Sequence, residues 1–375
     1  MSVSPSTTES AAAGLPAFGV TWSDPVRLAL FQQWLHQMAT DHGLLPDSVR
    51  AASADASFRR YLRADTRDGG TLIIMDAPPS HEDCRPFVTI DRLLREGAVG
   101  APEILAWDEP QGFMLLADLG AHTLLSTLDV AAEELSPADR ANRTRYLAAL
   151  DELVALQRIE ARDIVPPYDD ALLQRELDLF PQWYLGPLRQ LSLTDHQQAA
   201  LTRIFGQIKA QVLAQPTVLV HRDYHSRNLM ADPRDPGARP GVIDFQDAVW
   251  GPITYDPVSL LRDAYVVWDE ARQIDYAVLY WQKARAAGLP VPEDFGAFWR
   301  DFEWMGLQRH LKVLGIFARL ALRDGKRQYL DDIPRVWHYA HKVCMRYQGL
   351  GPLAAILEAA EADTLGVQRQ AGFTF

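Results

Sequence analysis

The pattern of apolar and polar positions along the chain changes near residue 120. Before that point, short β-type runs predict strands, and two longer segments with apolar residues on one face predict helices. The strands are predicted at residues 57 to 64, 71 to 75, 103 to 107 and 112 to 116, and the helices between Asp24 and Gly43 and at residues 82 to 96. Because Asp68-Gly69-Gly70 joins the first two strands, we expect them to form an antiparallel pair.

The rest of the chain is dominated by long segments with helical periodicity. Helices are predicted at residues 138 to 161, 170 to 185, 194 to 213, 257 to 267, 295 to 322 and 333 to 347, and short strands at residues 217 to 220 and 241 to 245. We therefore predict an α+β protein with a small β-rich N-lobe and a larger, mainly helical C-lobe. The predicted boundaries are a flexible tail over residues 1 to 23, an N-lobe over 24 to 118, a C-lobe over 119 to 350, and a C-terminal helix and tail over 351 to 375.

Composition narrows the class of protein. With 48% hydrophobic and 23% charged residues the chain is typical of water-soluble globular proteins, and a formal net charge of −12 argues against a nucleic-acid partner. The sequence has two cysteines, no positively charged region before Arg27, and no uninterrupted run of 18 apolar residues. We expect a cytoplasmic protein that spans no membrane and needs no obligate protein partner.

The most informative motif is H-R-D-x-x-x-x-N, which extends from His221 to Asn228 directly after a predicted strand. Phosphoryl transfer needs a carboxylate that accepts the proton of the attacking hydroxyl group, and Asp223 suits that role. Asn228 and Asp244, which ends the next predicted strand, supply the oxygen ligands that Mg²⁺ prefers. The sequence therefore predicts Asp223 as the catalytic base and Asn228 and Asp244 as metal ligands.

A single aspartate in a loop is more often a helix cap or a turn residue than a catalyst. Two strand-terminal carboxylates with an asparagine at a fixed offset form a joint pattern that favours catalysis. We assign His221 to structural support of the loop. His225 either contacts the substrate or faces solvent.

With these residues in place, the chain resembles the superfamily of aminoglycoside phosphotransferases and choline kinases over residues 24 to 350. A closer similarity, to bacterial anomeric kinases of N-acetylmuramate and N-acetylglucosamine, lies in four segments. They are residues 55 to 61 (DASFRRY), 75 to 79 (MDAPP), 82 to 87 (EDCRPF) and 243 to 248 (IDFQDA). The resemblance implies a protein-kinase-like two-lobed fold and the use of ATP and Mg²⁺. It further implies transfer of phosphate to C1 of a small amino sugar in peptidoglycan recycling.

The resemblance also implies where the nucleotide binds. Backbone groups near Asp118 and Leu119 would contact the adenine, and the turn containing Ala56 and Ser57 would lie over the phosphates. The strand at residues 72 to 76 lacks the phosphate-binding lysine that related kinases carry. Arg59 or Arg60 on the preceding strand would replace that lysine, although exposed strand arginines are an equally good interpretation.

The acceptor pocket of related kinases is built from C-terminal helices. This points to Glu303, Gln308, Arg309 and His310, whose spacing could equally reflect an ordinary packed helix. Arg309 or Arg262 would serve the lactyl carboxylate of N-acetylmuramate, and Asp256 would brace the catalytic loop as structural support.

Three other functions compete with this one. An aminoglycoside kinase is compatible with the acidic net charge, because its substrates are polycations. A nucleotide-binding regulatory pseudokinase is suggested by Met75 at the position of the missing lysine, but the intact Asp223, Asn228 and Asp244 argue against it. A protein kinase is disfavoured, because Asp244-Phe245-Gln246 lacks the glycine of the D-F-G motif.

Overall fold

The structure is a computed structural model that describes residues 15–18, 20–22, 24–52 and 59–362. The described chain forms two compact units. Unit 1 contains the described residues up to Asp91 together with Pro102–Leu119, and unit 2 contains Arg92–Ala101 and the described residues from Gly120 onward. The functional domain boundaries predicted from the sequence stay a prediction.

Unit 1 is built on a five-stranded antiparallel sheet with the strand order β3-β4-β5-β7-β6. Its strands are β3 (Arg50–Ala51), β4 (Arg60–Asp65), β5 (Thr71–Asp76), β6 (Ile104–Asp108) and β7 (Phe113–Ala117). A separate antiparallel pair is formed by β1 (Leu15–Ala17) and β2 (Val20–Trp22). The predicted hairpin is confirmed, since β4 pairs with β5 from Arg60 opposite Asp76 to Asp65 opposite Thr71.

Helix α1 (Pro25–Asp41) covers one face of this sheet. It begins where Asp24 accepts a hydrogen bond from the backbone N–H of Val26 at 2.8 Å, and its first helical residue is a proline. The apolar side of α1 packs into a core that contains Trp22, Phe31, Trp34 and Phe113. Each fully buried aromatic side chain contributes roughly 2–3 kcal/mol of transfer free energy, so this aromatic group dominates the core of unit 1.

Most of unit 2 is helical, and helix α2 (Arg85–Glu96) extends across the sequence boundary between the units. The helices of unit 2 are α3 (Leu124–Thr127), α4 (Pro137–Gln157), α5 (Asp170–Leu179), α6 (Asp195–Leu213), α7 (Tyr255–Leu261), α8 (Glu270–Ala286), α9 (Phe295–Leu322), α10 (Ile333–Arg346) and α11 (Gly351–Ala360). Short 3₁₀ helices occur at Pro46–Ser48 and Arg327–Asp332. The predicted α+β class, with a β-rich first part and a mainly helical remainder, is confirmed.

Two sequence predictions for the helices of unit 2 are wrong. The helix predicted over residues 170 to 185 ends at Leu179 and continues as a π-helix, Phe180–Leu188, which contains Pro187. The helix predicted over residues 257 to 267 ends at Leu261. Helix α8 was not predicted at all.

Four short strands lie in unit 2 and form two antiparallel pairs. Strand β8 (Thr217–Val220) pairs with β11 (Val249–Pro252), and β9 (Leu229–Met230) pairs with β10 (Gly241–Val242). The strand predicted over residues 241 to 245 is therefore shorter than expected. Among the described residues, no helix has the length and apolar character needed to cross a membrane.

Candidate active site

The predicted catalytic and metal-binding residues meet where the loop between β8 and β9 approaches the segment that follows β10. The side-chain amide nitrogen of Asn228 lies 3.0 Å from the backbone oxygen of Asp223 and 3.3 Å from Oδ2 of Asp244. The side chain of Asp223 is 42% exposed, so a small molecule can reach its carboxylate. One amide thus joins the two carboxylate-bearing segments that the sequence places 21 residues apart.

Both segments are held in left-handed backbone conformations. Arg222 has φ +76° and Asp244 has φ +65°, values that cost a non-glycine residue about 1–3 kcal/mol each. The backbone N–H of Ile243 donates to the carbonyl oxygen of Asn228 at 3.1 Å, which ties the Asp244 segment to the end of the catalytic loop. Such conformations persist only where surrounding contacts hold them, and they occur here on both sides of the candidate site.

His221 joins the two segments through its ring. Its Nδ1 atom accepts the backbone N–H of Asp223 at 3.2 Å, so the proton of the neutral ring belongs on Nε2, which lies 3.0 Å from the carbonyl oxygen of Ile243. Both ring nitrogens are therefore used in hydrogen bonds to the backbone. This geometry supports the structural role predicted for His221.

Asp256, in the first turn of α7, holds the start of the catalytic loop. Its carboxylate accepts the backbone N–H groups of His221 at 2.7 Å and Arg222 at 3.0 Å. Burial raises the pKa of this fully buried carboxyl to about 6, although His221 and the two N–H donors favour its charged form. The contacts support the bracing role predicted for Asp256.

The positive charges that act on Asp223 come from Arg309 and Lys312 of helix α9. Of these two, Arg309 was predicted from the sequence and Lys312 was missed. Arg309 places Nη2 at 3.5 Å from Oδ1 of Asp223 and donates from Nη1 to the carbonyl oxygen of Arg222 at 2.7 Å. Partial burial acts to raise the pKa of Asp223, but the positive charges of Lys312 and Arg309 outweigh it and leave the pKa lowered. Asp223 is therefore ionised, as a proton acceptor must be.

Sequence reasoning missed three buried residues of this region: Glu176, Tyr255 and Lys312. Glu176 forms ion pairs with Arg222 at 2.6 Å and with Lys312 at 3.0 Å. Burial acts to raise the pKa of Glu176, but these two cations lower it to about 2. The available signal was Lys312 itself, a lone lysine inside an otherwise apolar stretch of α9, three residues after Arg309.

The predicted acceptor-binding residues fall into two groups. His225, Gln308 and Arg309 lie with the catalytic loop: His225 makes an edge-on contact with Tyr265 at 5.4 Å between ring centres, and Gln308 donates to Glu176 at 3.0 Å. Burial lowers the pKa of His225. Its Nδ1 atom is buried and has no hydrogen-bond partner within the described part of the chain.

Arg262, Glu303 and His310 form the second group. Arg262 pairs with Glu303 at 3.1 Å, and Nε2 of His310 lies 3.2 Å from the carbonyl oxygen of Arg262. These side chains are at most 4% exposed, and Arg262 borders a cavity of about 190 Å³ that Trp268 and Tyr339 also line. Among the described residues, no hydrogen bond or ion pair links this group to Asp223. The sequence did not separate it from the first group.

In unit 1 the two candidate arginines have different partners. Arg59 donates from Nε and Nη2 to Glu82 at 3.1 and 3.0 Å. Arg60 instead pairs with the fully buried Asp76, which also receives Arg27, with Nε of each arginine 2.9 Å from the carboxylate. The guanidinium groups of Arg59 and Arg60 therefore pair with different carboxylates, Glu82 and Asp76 respectively.

The other predicted nucleotide-binding residues are Ala56, Ser57, Asp118 and Leu119. Ala56 and Ser57 lie outside the described residues. Asp118 accepts hydrogen bonds from Arg63 at 2.6 Å and Thr71 at 2.7 Å, so its side chain is used within unit 1, and Leu119 follows it at the end of that unit. This is compatible with the expectation that adenine contacts there come from the backbone.

A metal ion would find oxygen ligands at Asn228 and Asp244. No described residue donates a hydrogen bond to Oδ1 of Asn228, and the side chain of Asp244 is exposed. In the described part of the chain, no three His, Cys, Asp or Glu side chains converge on a metal position. The donor set fits Mg²⁺ completed by phosphate oxygens and water.

The chain has relatives among known phosphotransferases. Residues 48–295 match the phosphotransferase enzyme family, and this chain belongs to that family. The chain is 46% identical over 344 residues to the N-acetylmuramate/N-acetylglucosamine kinase of Pseudomonas putida, covering 90% of this chain and 97% of that protein. It is 44% identical over 324 residues to the enzyme of the same name from Neisseria meningitidis serogroup B, covering 86% and 93%.

Solved structures support the kinase-like fold. An ethanolamine kinase from Plasmodium vivax matches with a TM-score of 0.59 at 12% identity, covering 88% of this chain and 91% of that chain. The GDP complex of aminoglycoside 2'-phosphotransferase-IIIa matches with a TM-score of 0.54 at 16% identity, covering 81% and 97%. At these identities the likeness concerns the fold alone. The predicted kinase-like fold and family are confirmed.

Proposed function

We propose that this chain transfers the γ-phosphoryl group of ATP to the anomeric (C1) hydroxyl group of N-acetylmuramate and N-acetylglucosamine. The products would be the sugar 1-phosphate and ADP, and the reaction would serve peptidoglycan recycling. Support comes from two relatives of that name at 46% and 44% identity, each matched over more than nine-tenths of its length.

The observation that carries the catalytic assignment is the meeting of Asp223, Asn228 and Asp244 through the amide of Asn228. Asp223 would orient the C1 hydroxyl group and accept its proton. An anomeric hydroxyl is more acidic than an ordinary alcohol, so a carboxylate with a lowered pKa still suffices as the base. Positioning and charge stabilisation would supply most of the rate enhancement.

Asn228 and Asp244 would hold Mg²⁺ through Oδ1 of the amide and the exposed carboxylate. When bound, ATP supplies the phosphoryl group, and Mg²⁺ neutralises charge on its phosphate oxygens. Asp244, two residues after the end of β10, has a left-handed backbone conformation. The hydrogen bond from Gln246 to Oδ1 of Asp244, at 3.0 Å, restrains that carboxylate further.

In unit 1 we propose that Arg59 replaces the missing lysine. Glu82 holds the Arg59 guanidinium through Nε and Nη2, which is how a cation is fixed in one orientation for a phosphate. Arg60 is the weaker candidate, because it is committed to Asp76 and lies over the ring of Trp22 at 3.9 Å. Ala56 and Ser57, with backbone groups at Asp118 and Leu119, complete the proposed nucleotide site.

For the acceptor we propose His225 and Arg309 as contacts. Arg309 lies beside Asp223, and the partnerless Nδ1 of His225 offers a hydrogen-bonding atom in the same loop. Gln308 supports this region through Glu176. We assign Arg262, Glu303 and His310 to structural support, because they contact one another and neighbouring helices.

The test is Mg²⁺-dependent ADP release by the purified protein with a panel of acceptors: both N-acetyl sugars, other sugars, choline and kanamycin. Phosphorus NMR of the product identifies the phosphorylated position. A sugar 1-phosphate from either N-acetyl sugar is expected. Turnover of kanamycin alone would make the protein an aminoglycoside kinase, and ATP binding without turnover of any acceptor would favour a regulatory protein.

The matched variants are Asp223→Asn and Asp232→Asn. Asp223→Asn should lower kcat by about 100-fold or more while ATP binding persists, because only the proton acceptor is lost. Asp232 lies in an exposed pair with Arg234, so its variant should behave as wild type. Normal turnover by Asp223→Asn would refute the assignment of the base.

A further inference from the structure

Beneath the catalytic loop, the buried carboxylate of Glu176 accepts three hydrogen bonds and forms an ion pair with Lys312. Its Oε1 accepts from Arg222 Nη2 at 2.6 Å and lies 3.0 Å from Lys312 Nζ, and its Oε2 accepts from Tyr168 Oη at 2.6 Å and Gln308 Nε2 at 3.0 Å. Each of the two carboxylate oxygens therefore has two polar partners. Helices α5 and α9 are thereby joined to the loop through one side chain.

Lys312 is the least expected member of this group. It is 5% exposed, forms the ion pair with Glu176, and donates to the hydroxyl oxygen of the buried Tyr255 at 2.9 Å. Burial acts to lower the pKa of Lys312, but Glu176, Tyr255 and Asp223 outweigh it and leave the pKa raised. A fully charged lysine is therefore held inside unit 2, directly beneath the proposed site.

The backbone around Arg222 shows what this group restrains. Arg222 has a left-handed conformation, and hydrogen bonds hold both its backbone and its side chain. Asp256 accepts its N–H and Arg309 donates to its carbonyl oxygen, while its guanidinium donates to Glu176 and, at 3.4 Å, to the carbonyl oxygen of Asp247. Of these partners, only Glu176 contacts Lys312. Since Asp223 is the next residue, a shift of Arg222 moves the proposed base.

We propose that Lys312 is a positioning residue for phosphoryl transfer. By pairing with Glu176 and Tyr255 it keeps the Glu176 carboxylate in place for Arg222, and so fixes the peptide that presents Asp223. The inference rests on the proposed function, which supplies the reaction that Asp223 serves. A lysine that only stabilised the fold would affect unfolding and leave the turnover of folded protein unchanged.

The experiment compares Lys312→Met, which removes the charge and keeps the length, with Lys312→Arg, which keeps the charge. For folded protein, Lys312→Met should lower kcat by about 10–100-fold with both KM values within about twofold of wild type, because the base is misplaced while the binding groups remain. Lys312→Arg should recover a large part of kcat. Lys283→Met, at a surface pair with Asp151, is the matched control and should equal wild type.

Tyr255→Phe keeps the inference testable if Lys312→Met does not fold. It removes one hydrogen bond to Lys312 and should lower kcat by about 3–10-fold without changing either KM. If Lys312→Met folds and has the kcat of the wild type, the positioning role is overturned. If it does not fold, a wild-type kcat in Tyr255→Phe overturns it. A failure of the proposed function is distinguishable, because the wild-type protein would then phosphorylate neither N-acetyl sugar.

Discussion

Replacing Asp256 by asparagine should separate catalysis from stability. The buried carboxylate accepts two backbone N–H groups, from His221 and Arg222. Asparagine keeps one oxygen for one of them and turns its amide nitrogen towards the other. One buried N–H then loses its acceptor, at a cost of about 1–3 kcal/mol.

A second contribution to the stability of Asp256→Asn has the opposite sign and favours the variant. Burial raises the pKa of Asp256 from 3.8 to about 6, which corresponds to a cost of about 3 kcal/mol for ionising this group in the folded protein. Asparagine avoids that cost. At pH 8 the two contributions nearly cancel, and we expect the free energy of unfolding of Asp256→Asn to lie within about 2 kcal/mol of wild type.

The pH dependence follows from the direction of this shift. A raised carboxyl pKa contributes stability that is fully present below the unfolded pKa and is lost as pH rises through the folded pKa. The wild-type protein should therefore lose about 3 kcal/mol relative to Asp256→Asn between pH 3.8 and pH 6. Urea midpoints of both proteins across this interval measure the difference.

Turnover should respond far more strongly than stability. In the variant, the backbone N–H of Arg222 can lose its acceptor at residue 256. Arg222 could then leave its left-handed conformation, which would release about 1–3 kcal/mol of backbone strain. A displacement of Asp223 by about 1 Å would lower kcat by about 100-fold. The control is Asp301→Asn, since burial also raises the pKa of Asp301, whose side chain contacts Gln211 and not the loop. Turnover of Asp256→Asn within twofold of wild type would refute the bracing role.

Three further predictions concern stability. Gly251→Ala should destabilise the β8–β11 pair by about 1–3 kcal/mol, because the added Cβ would lie 2.8 Å from that of Tyr168; a lower thermal midpoint checks this. Asp76→Asn should cost about 3–5 kcal/mol in urea unfolding, because it removes a fully buried charge from between two partly buried arginines and leaves them without a full counter-charge. The lowered pKa of Glu176 contributes stability above pH 4.5 that is lost as pH falls through about 2, so Glu176→Gln should flatten the acid side of the stability curve.

Strong local signals explain which elements the sequence could predict. Helix α9 has the predicted bounds, because its apolar positions recur over 28 residues after the capping Asp294. Helix α8 was missed because its buried face consists of glutamine, tyrosine and alanine, which do not stand out as an apolar stripe. Strand β11 was missed because Gly251-Pro252 is typical of a turn, although a proline is tolerated at the end of an edge strand.

In the candidate site as well, the residues with a strong local sequence signal were found and those without one were missed. Asp223 and Asn228 were found because their motif is contiguous, and Asp244 because it follows a short apolar run. Glu176 comes from a helix 46 residues before Arg222 and is brought there by packing of α5 against α9. In one sequence, a buried glutamate on a helix is indistinguishable from a solvated one. A lone lysine in an apolar stretch, such as Lys312, indicates burial but does not identify its partner. Tertiary contacts supply that partner.

Helix geometry could have divided the predicted acceptor residues further than the sequence analysis did. Glu303 and His310 are seven residues apart and share one face of α9, whereas Arg309 and Lys312 share another, about 140° away. Both faces are buried against other parts of the protein. Periodicity alone does not indicate which face contacts the catalytic loop. The contacts of Arg309 with Arg222 and Asp223 settle the orientation of α9, and Lys312 follows one turn later. The sequence could therefore single out Lys312, but only the orientation of α9 reveals that it lies beside Glu176 and Tyr255, next to the proposed base.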